Sequence, residues 1–150
     1  MFNKLILILL PFCLFSQQNL FEKELFIVEE DTLRYRVLAP LDYEKDKKYP
    51  VHLVLHGSGE RGNDNELQLF HGSNLFLNKK NREKYKSWVI FPQAPKNDWW
   101  GGNYDPYKFD YEIRTSQALD LVIRFMDEFI NRGDVDKNKV YVSGLSMGGM

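Results

Sequence analysis

The feature that most constrains this chain is a short pattern around position 146. Gly144, Ser146 and Gly148 fit G-x-S-x-G, and they follow the apolar run Val140-Tyr141-Val142. A strand that ends in this pattern must turn sharply into a helix. The turn strains the central serine and lifts its hydroxyl clear of the sheet. Glycines two residues to either side are needed because a side chain there would strike a neighbouring strand or helix.

The segments upstream supply the sheet such a turn requires. Leu25, Ile27, Leu33, Tyr35 and Val37 alternate around Glu29-Glu30-Asp31-Thr32, which predicts a hairpin over 24–29 and 32–38. Val51 to Leu55 is short, apolar and β-branched, as expected of a strand buried on both faces. Trp88 to Phe91 predicts another strand, stopped by Pro92. Glu66 to Leu77 is expected to hold a short helix with Leu67, Leu69 and Phe70 facing in, and Asn78 to Lys86 to be polar and exposed. Ser116 to Asn131 has the clearest helical spacing. Thr115 or Ser116 is placed to cap its start, and Gly133 to close its end. Asp134 to Lys139, with Asp136, reads as a turn before a strand over 140–143. Buried strands alternating with helices imply one α/β domain, a mostly parallel sheet with helices on both faces.

Composition removes several alternatives. With 43% hydrophobic and 15% aromatic residues the chain can bury a core. Its 20 basic and 21 acidic residues leave no basic stripe for a phosphate backbone, so nucleic acid is not an expected partner. Lys4, the apolar run Leu5 to Phe15 and the small Ser16 read as an export leader over 1–16, with an uncleaved anchor as the alternative. The run is too short to span a bilayer, so no stable membrane span is expected once the leader is cut. The mature domain would cover 17–150 and be secreted or periplasmic. Cys13, the only cysteine, lacks the small preceding residue that favours lipidation, and it would leave with the leader. His52, His56 and His71 stand apart from any metal-binding spacing, so no metal site is expected.

The chemistry follows from what a serine needs. Its hydroxyl is a weak nucleophile unless a histidine takes the proton and an acid orients that histidine. It also needs two N–H groups aimed at the developing oxyanion. The turn provides one from Met147, the residue after the nucleophile. The second must come from the loop after an earlier parallel strand. His56-Gly57-Ser58-Gly59-Glu60-Arg61-Gly62 fits that place, with the N–H of Ser58 as first candidate and Gly59 as second. Trp99 and Trp100, on a long loop rich in aromatics (Tyr104, Tyr107, Phe109), either wall a substrate pocket or pack back on the sheet. Glu60 and Arg61 are positioned to pair and fix the loop.

These residues carry a resemblance. Tyr49-Pro50-Val51 through Leu55-His56-Gly57-Ser58-Gly59-Glu60-Arg61-Gly62, Asp64-Asn65, Gln68-Leu69, His71-Gly72, Phe91-Pro92-Gln93-Ala94-Pro95, Val135-Asp136 and Val140 through Gly149 together resemble a secreted α/β-hydrolase. The chain is most similar to the esterases and peptidase-like hydrolases related to the phospholipase/carboxylesterase and feruloyl esterase families, over about residues 25–150. The resemblance implies the α/β-hydrolase fold, hydrolysis of small-molecule or carbohydrate-linked carboxylic esters through a serine acyl-enzyme, and no cofactor. A serine peptidase and a non-catalytic binding module on the same fold are the alternatives. His56 would support the oxyanion turn, and His71 would line the site or hold a loop. In this fold the acid and then the base follow the nucleophile, whereas all three histidines precede Ser146. The chain is therefore expected to be an N-terminal fragment, truncated after the turn, inactive and poorly stable alone.

Overall fold

The computed structural model describes residues 20–101 and 115–150. The leader over 1–16, Cys13 and the loop aromatics Tyr104, Tyr107 and Phe109 lie outside the described residues. Among the described residues, five strands form one sheet in the order β1-β2-β4-β3-β5. They are β1 (Glu22–Val28), β2 (Asp31–Leu38), β3 (Tyr49–Leu55), β4 (Trp88–Gln93) and β5 (Val135–Gly144). The hairpin β1-β2 is antiparallel and joins β4 antiparallel, while β4, β3 and β5 run parallel. The parallel half carries the turn at Ser146.

Cross-strand partners share a face, and the hairpin register pairs Phe26 with Leu33 and Leu25 with Arg34. Phe26 therefore follows Leu33 inward, and its ring meets Phe125 at 5.5 Å. Leu25 and Ile27, expected to share a face with Leu33 and Val37, are exposed instead. The strand that is buried throughout is β4, not β3. β4 sits at the centre of the sheet, whereas His52 and Val54 of β3 are only half covered on their side. β4 also runs past Pro92 to Gln93. β3 pairs with it only as far as Ile90, so the missing N–H of Pro92 can face an unpaired side.

Among the described residues, three α-helices flank the sheet: α1 (Ser73–Leu77), α2 (Lys79–Lys84) and α3 (Gln117–Phe129). Ala118, Leu121, Val122, Phe125, Met126 and Phe129 of α3 pack on Leu33, Val37, Val51, Leu53 and Ile90. The Ser116 hydroxyl caps α3 by accepting the Leu119 N–H at 3.1 Å. Gly133 does not adopt a left-handed cap, and the end is closed by the Asn131 amide donating to the Asp127 carbonyl at 2.6 Å. The opposite face is covered by Leu69 and Leu77 over Phe21, Leu38, Val89 and Phe91. The expected helix over 66–77 is split into a 3-10 turn at Leu67–Leu69 and α1, which starts after Gly72 at φ 85°. Only Leu69 of that turn's apolar residues points in, with Gln68 beside it; Leu67 and Phe70 are exposed. The polar stretch after it forms α2 and buries no residue.

β5 is longer than 140–143 because Val135 already pairs with Tyr49; a bulge then separates it from the pairing of Val140 with Val51. Asp136 sits in that bulge and pairs with Lys139 at 3.1 Å. β5 is the last strand of the described sheet, and Val140, Tyr141 and Val142 lie exposed along it. Among the described residues, no helix is long and apolar enough to cross a membrane.

Candidate active site

The parallel strands end together at two loops. Ser146 has φ 50°, a left-handed conformation unusual for a residue with a side chain, and its neighbour Leu145 is extended at φ −110°. The turn is stitched to β3: the Leu145 N–H donates to the Leu55 carbonyl at 3.0 Å, and the Gly148 N–H to the Leu145 carbonyl at 2.9 Å. A Cβ on Gly144 would run into the Gly148 carbonyl, and one on Gly148 into the Leu55 carbonyl. Both glycines are thus required by close backbone approach. Met147 is buried in the core under α3 and anchors the turn, while Ser146 is exposed.

The loop after β3 lies against this turn. A Cβ built on Gly57 would sit 3.7 Å from Ser146 Cβ and 2.9 Å from the Glu60 carboxylate. None of Gly57, Gly59 and Gly62 has a left-handed backbone, so these glycines are not there for an unusual path. Gly57 and Gly62 leave room: a Cβ on Gly62 would meet Asp64 and Gln93, each at 3.0 Å. Gly59 faces open space. Ser58 opens a 3-10 turn, Ser58–Glu60, and Met147 lies in the first turn of another, Ser146–Gly149. Opening N–H groups of such turns lack intrahelical partners.

His56 holds this loop from behind. It is buried; its Nε2 accepts the Ala94 N–H at 3.0 Å, so the proton sits on Nδ1, which donates to the Gly57 carbonyl at 2.6 Å. Burial holds its pKa below the ordinary imidazole range, against a raising pull from the Gly57 carbonyl and Glu60. Both ring nitrogens are engaged, which leaves none for a proton from Ser146. The Trp100 indole donates to the His56 carbonyl at 2.9 Å and is itself buried, so Trp100 braces the loop from within the fold. Arg61 does not pair with Glu60. It donates to the carbonyls of Ser58 at 2.9 Å and Lys96 at 3.1 Å, and its guanidinium lies 3.7 Å from the Trp99 ring centre. Glu60 faces His71 instead, at 3.6 Å, and His71 is exposed.

Sequence reasoning missed Gln93 and Asp98 as supports. The buried Gln93 amide accepts the Asn65 N–H at 2.8 Å and donates to the Glu60 carbonyl at 3.2 Å and to Asp64 at 3.0 Å. The Gly62 N–H donates to the Ala94 carbonyl at 2.9 Å. The stretches 56–65 and 91–95, matched separately in the sequence, are therefore one hydrogen-bonded unit. Asp98 ties that unit to α3 by accepting the Ala118 N–H at 2.8 Å. His52 donates to or accepts from Ser143 at 2.9 Å on the other face of the sheet, beside a groove of about 610 Å³ lined by residues such as Leu38, Phe76 and Tyr141; no residue of the two loops borders it.

A mixed sheet whose parallel strand ends present a left-handed serine between two glycines, against a braced glycine turn, defines the α/β-hydrolase fold. Solved structures agree. A thermostable esterase superposes with a TM-score of 0.74 at 30% identity, over 89% of this chain and 36% of its own. A CE1 ferulic acid esterase from the anaerobic fungus Anaeromyces mucronatus, without substrate, gives 0.55 at 18% identity, over 85% of this chain and 50% of its own. Another ferulic acid esterase gives 0.57 at 22%, over 85% and 51%. The chain spans from about a third to a half of these structures. No protein-family profile matches it, and no curated protein does.

Proposed function

We propose that this chain carries the nucleophile and oxyanion-binding part of a serine hydrolase acting on carboxylic esters. The observation that carries the reading is Ser146 at φ 50°, exposed, with the Gly57 backbone packed beside its Cβ. The esterase names of similar solved structures support the substrate class. Ser146 Oγ gives its proton to the base as it attacks the ester carbonyl carbon, the carbonyl oxygen takes the negative charge, and the base then passes that proton to the departing alcohol oxygen. The N–H groups of Met147 and Ser58, or Gly59, receive that charge. Collapse expels the alcohol and leaves an acyl-enzyme, which water hydrolyses. His52, His56 and His71 each have another contact, so the proposal puts the base and its acid outside these 150 residues. Trp99 and His71, at the exposed side of the loop, are the candidate substrate contacts.

The test compares p-nitrophenyl acyl esters, feruloyl esters and peptide amides with full-length protein and its Ser146→Ala variant. Ester turnover that disappears in the variant is expected. Turnover of amides alone would favour a peptidase, and no turnover at all would favour a binding module. We also read 1–16 as an export leader: exported protein should begin at Gln17, and an intact Met1 would contradict this.

A further inference from the structure

Three successive carbonyls of the loop after β3 are each gripped by a side chain. The Trp100 indole donates to the His56 carbonyl at 2.9 Å, His56 Nδ1 to the Gly57 carbonyl at 2.6 Å, and Arg61 Nε to the Ser58 carbonyl at 2.9 Å. In a planar trans peptide the N–H points away from the carbonyl. Fixing these carbonyls therefore fixes the directions of the N–H groups of Gly57, Ser58 and Gly59, the last two being the candidate oxyanion donors. The first two grips come from buried rings. The third comes from a long side chain that is only partly covered. The other supports of the loop hold Glu60 through Gln93 and Gly62 through Ala94, so among the described residues the Ser58 carbonyl is left to Arg61.

Arg61 is itself held. A second guanidinium nitrogen donates to the Lys96 carbonyl at 3.1 Å, and the cation lies 3.7 Å from the Trp99 ring centre. That platform is tied down in turn. The Asp98 N–H donates to the Pro95 carbonyl at 3.1 Å, and the Asp98 carboxylate accepts the N–H groups of Trp99 and Ala118, each at 2.8 Å. Ordering so long a side chain costs entropy. A guanidinium suits the place because its planar fork binds two acceptors while its face stacks on a ring. Its charge also reaches the site: burial chiefly, and Arg61 in addition, lower the His56 pKa.

We propose that Arg61 is a positioning residue for the oxyanion. Clamped between the Lys96 carbonyl and the Trp99 ring, it holds and polarises the Ser58–Gly59 peptide, so that the donors of this loop are set before the charge develops. The proposal rests on the serine hydrolase reading above. Preorganised donors act on the transition state more than on bound substrate, so the effect belongs in kcat.

The experiment uses full-length protein and a p-nitrophenyl ester, with wild type, Arg61→Ala, Arg61→Lys and Trp99→Leu. It measures kcat per titrated active site, KM, and the Ki of a trifluoromethyl ketone, whose serine adduct places an oxyanion among the same donors. Arg61→Ala should lower kcat about tenfold or more, leave KM nearly unchanged, and raise the ketone Ki in proportion. Arg61→Lys keeps the charge without the fork and should fall between it and wild type. Trp99→Leu should show a smaller loss of the same kind. Unchanged kcat in both Arg61 variants would overturn the proposal. So would a loss confined to KM, a loss of titratable sites at normal kcat per site, or a ketone Ki that does not follow kcat. Wild type that turns over no ester would fail the hydrolase reading itself, and this proposal with it.

Discussion

The two ends of the parallel strands use the same kinds of residue in opposite ways. At the end where β3 begins, Asp134 is bound on every side. Arg132 reaches it at 2.7 and 3.0 Å, and the Tyr43 hydroxyl at 2.8 Å. Arg132 also lies 4.5 Å from the ring centres of Trp88 and Phe129. Burial tends to raise the Asp134 pKa, but Arg132 and Tyr43 hold it below the usual carboxylate range. At the other end, the Glu60 carboxylate has only the exposed His71 beside it, at 3.6 Å, and the turns opened by Ser58 and Ser146 lie against each other. A closed set of partners stabilises the fold. An open set, held in place by His56, Trp100 and Gln93, is what a ligand can complete.

Substitutions can break this contrast from either side. The largest effect is expected at the open end: Ser146→Ala should lower ester kcat by at least about 10³-fold with an unchanged melting curve. Gly148→Ala comes next. It forces a Cβ into the Leu55 backbone and should cost about 3 kcal/mol, read from denaturant midpoints, with activity lost as well. At the closed end, Asp134→Asn should cost about 1–2 kcal/mol in the same assay while leaving kcat/KM alone; a loss of activity without a loss of stability would contradict the division. The smallest effect is a pH dependence. His56 and His52 are both held below the ordinary imidazole range by burial. The unfolded chain therefore binds more protons on acidification. Their contribution should be whole above the ordinary imidazole range and be lost as pH falls through the lower folded values. Thermal melts from pH 8 to 5 should show this fall, and it should be smaller in a His56→Asn variant.

How much of this was legible in the sequence varies with the range of the interaction. The strands, the α3 cap at Ser116 and the glycines of the turn are local signals, and they read directly. The inward face of β1 is set by register against β2, which alternation within one strand does not specify. That is why Phe26, and not Leu25 or Ile27, faces the core. The extension of β4 through Pro92 depends on where β3 stops pairing. In the site, Ser146 and the loop after β3 stand out as patterns. The partners of that loop do not: Arg61 binds carbonyls rather than Glu60, and Gln93 closes the loop from 28 residues beyond Asn65. An adjacent opposite charge is a strong cue in sequence, but here the buried amide and the backbone won.

The central claim is that the left-handed turn makes Ser146 a nucleophile. Full-length protein treated with a fluorophosphonate and digested should carry the adduct on the peptide containing Ser146, and Ser146→Ala protein should carry none. An adduct on another residue, or equal labelling of the variant, would contradict it.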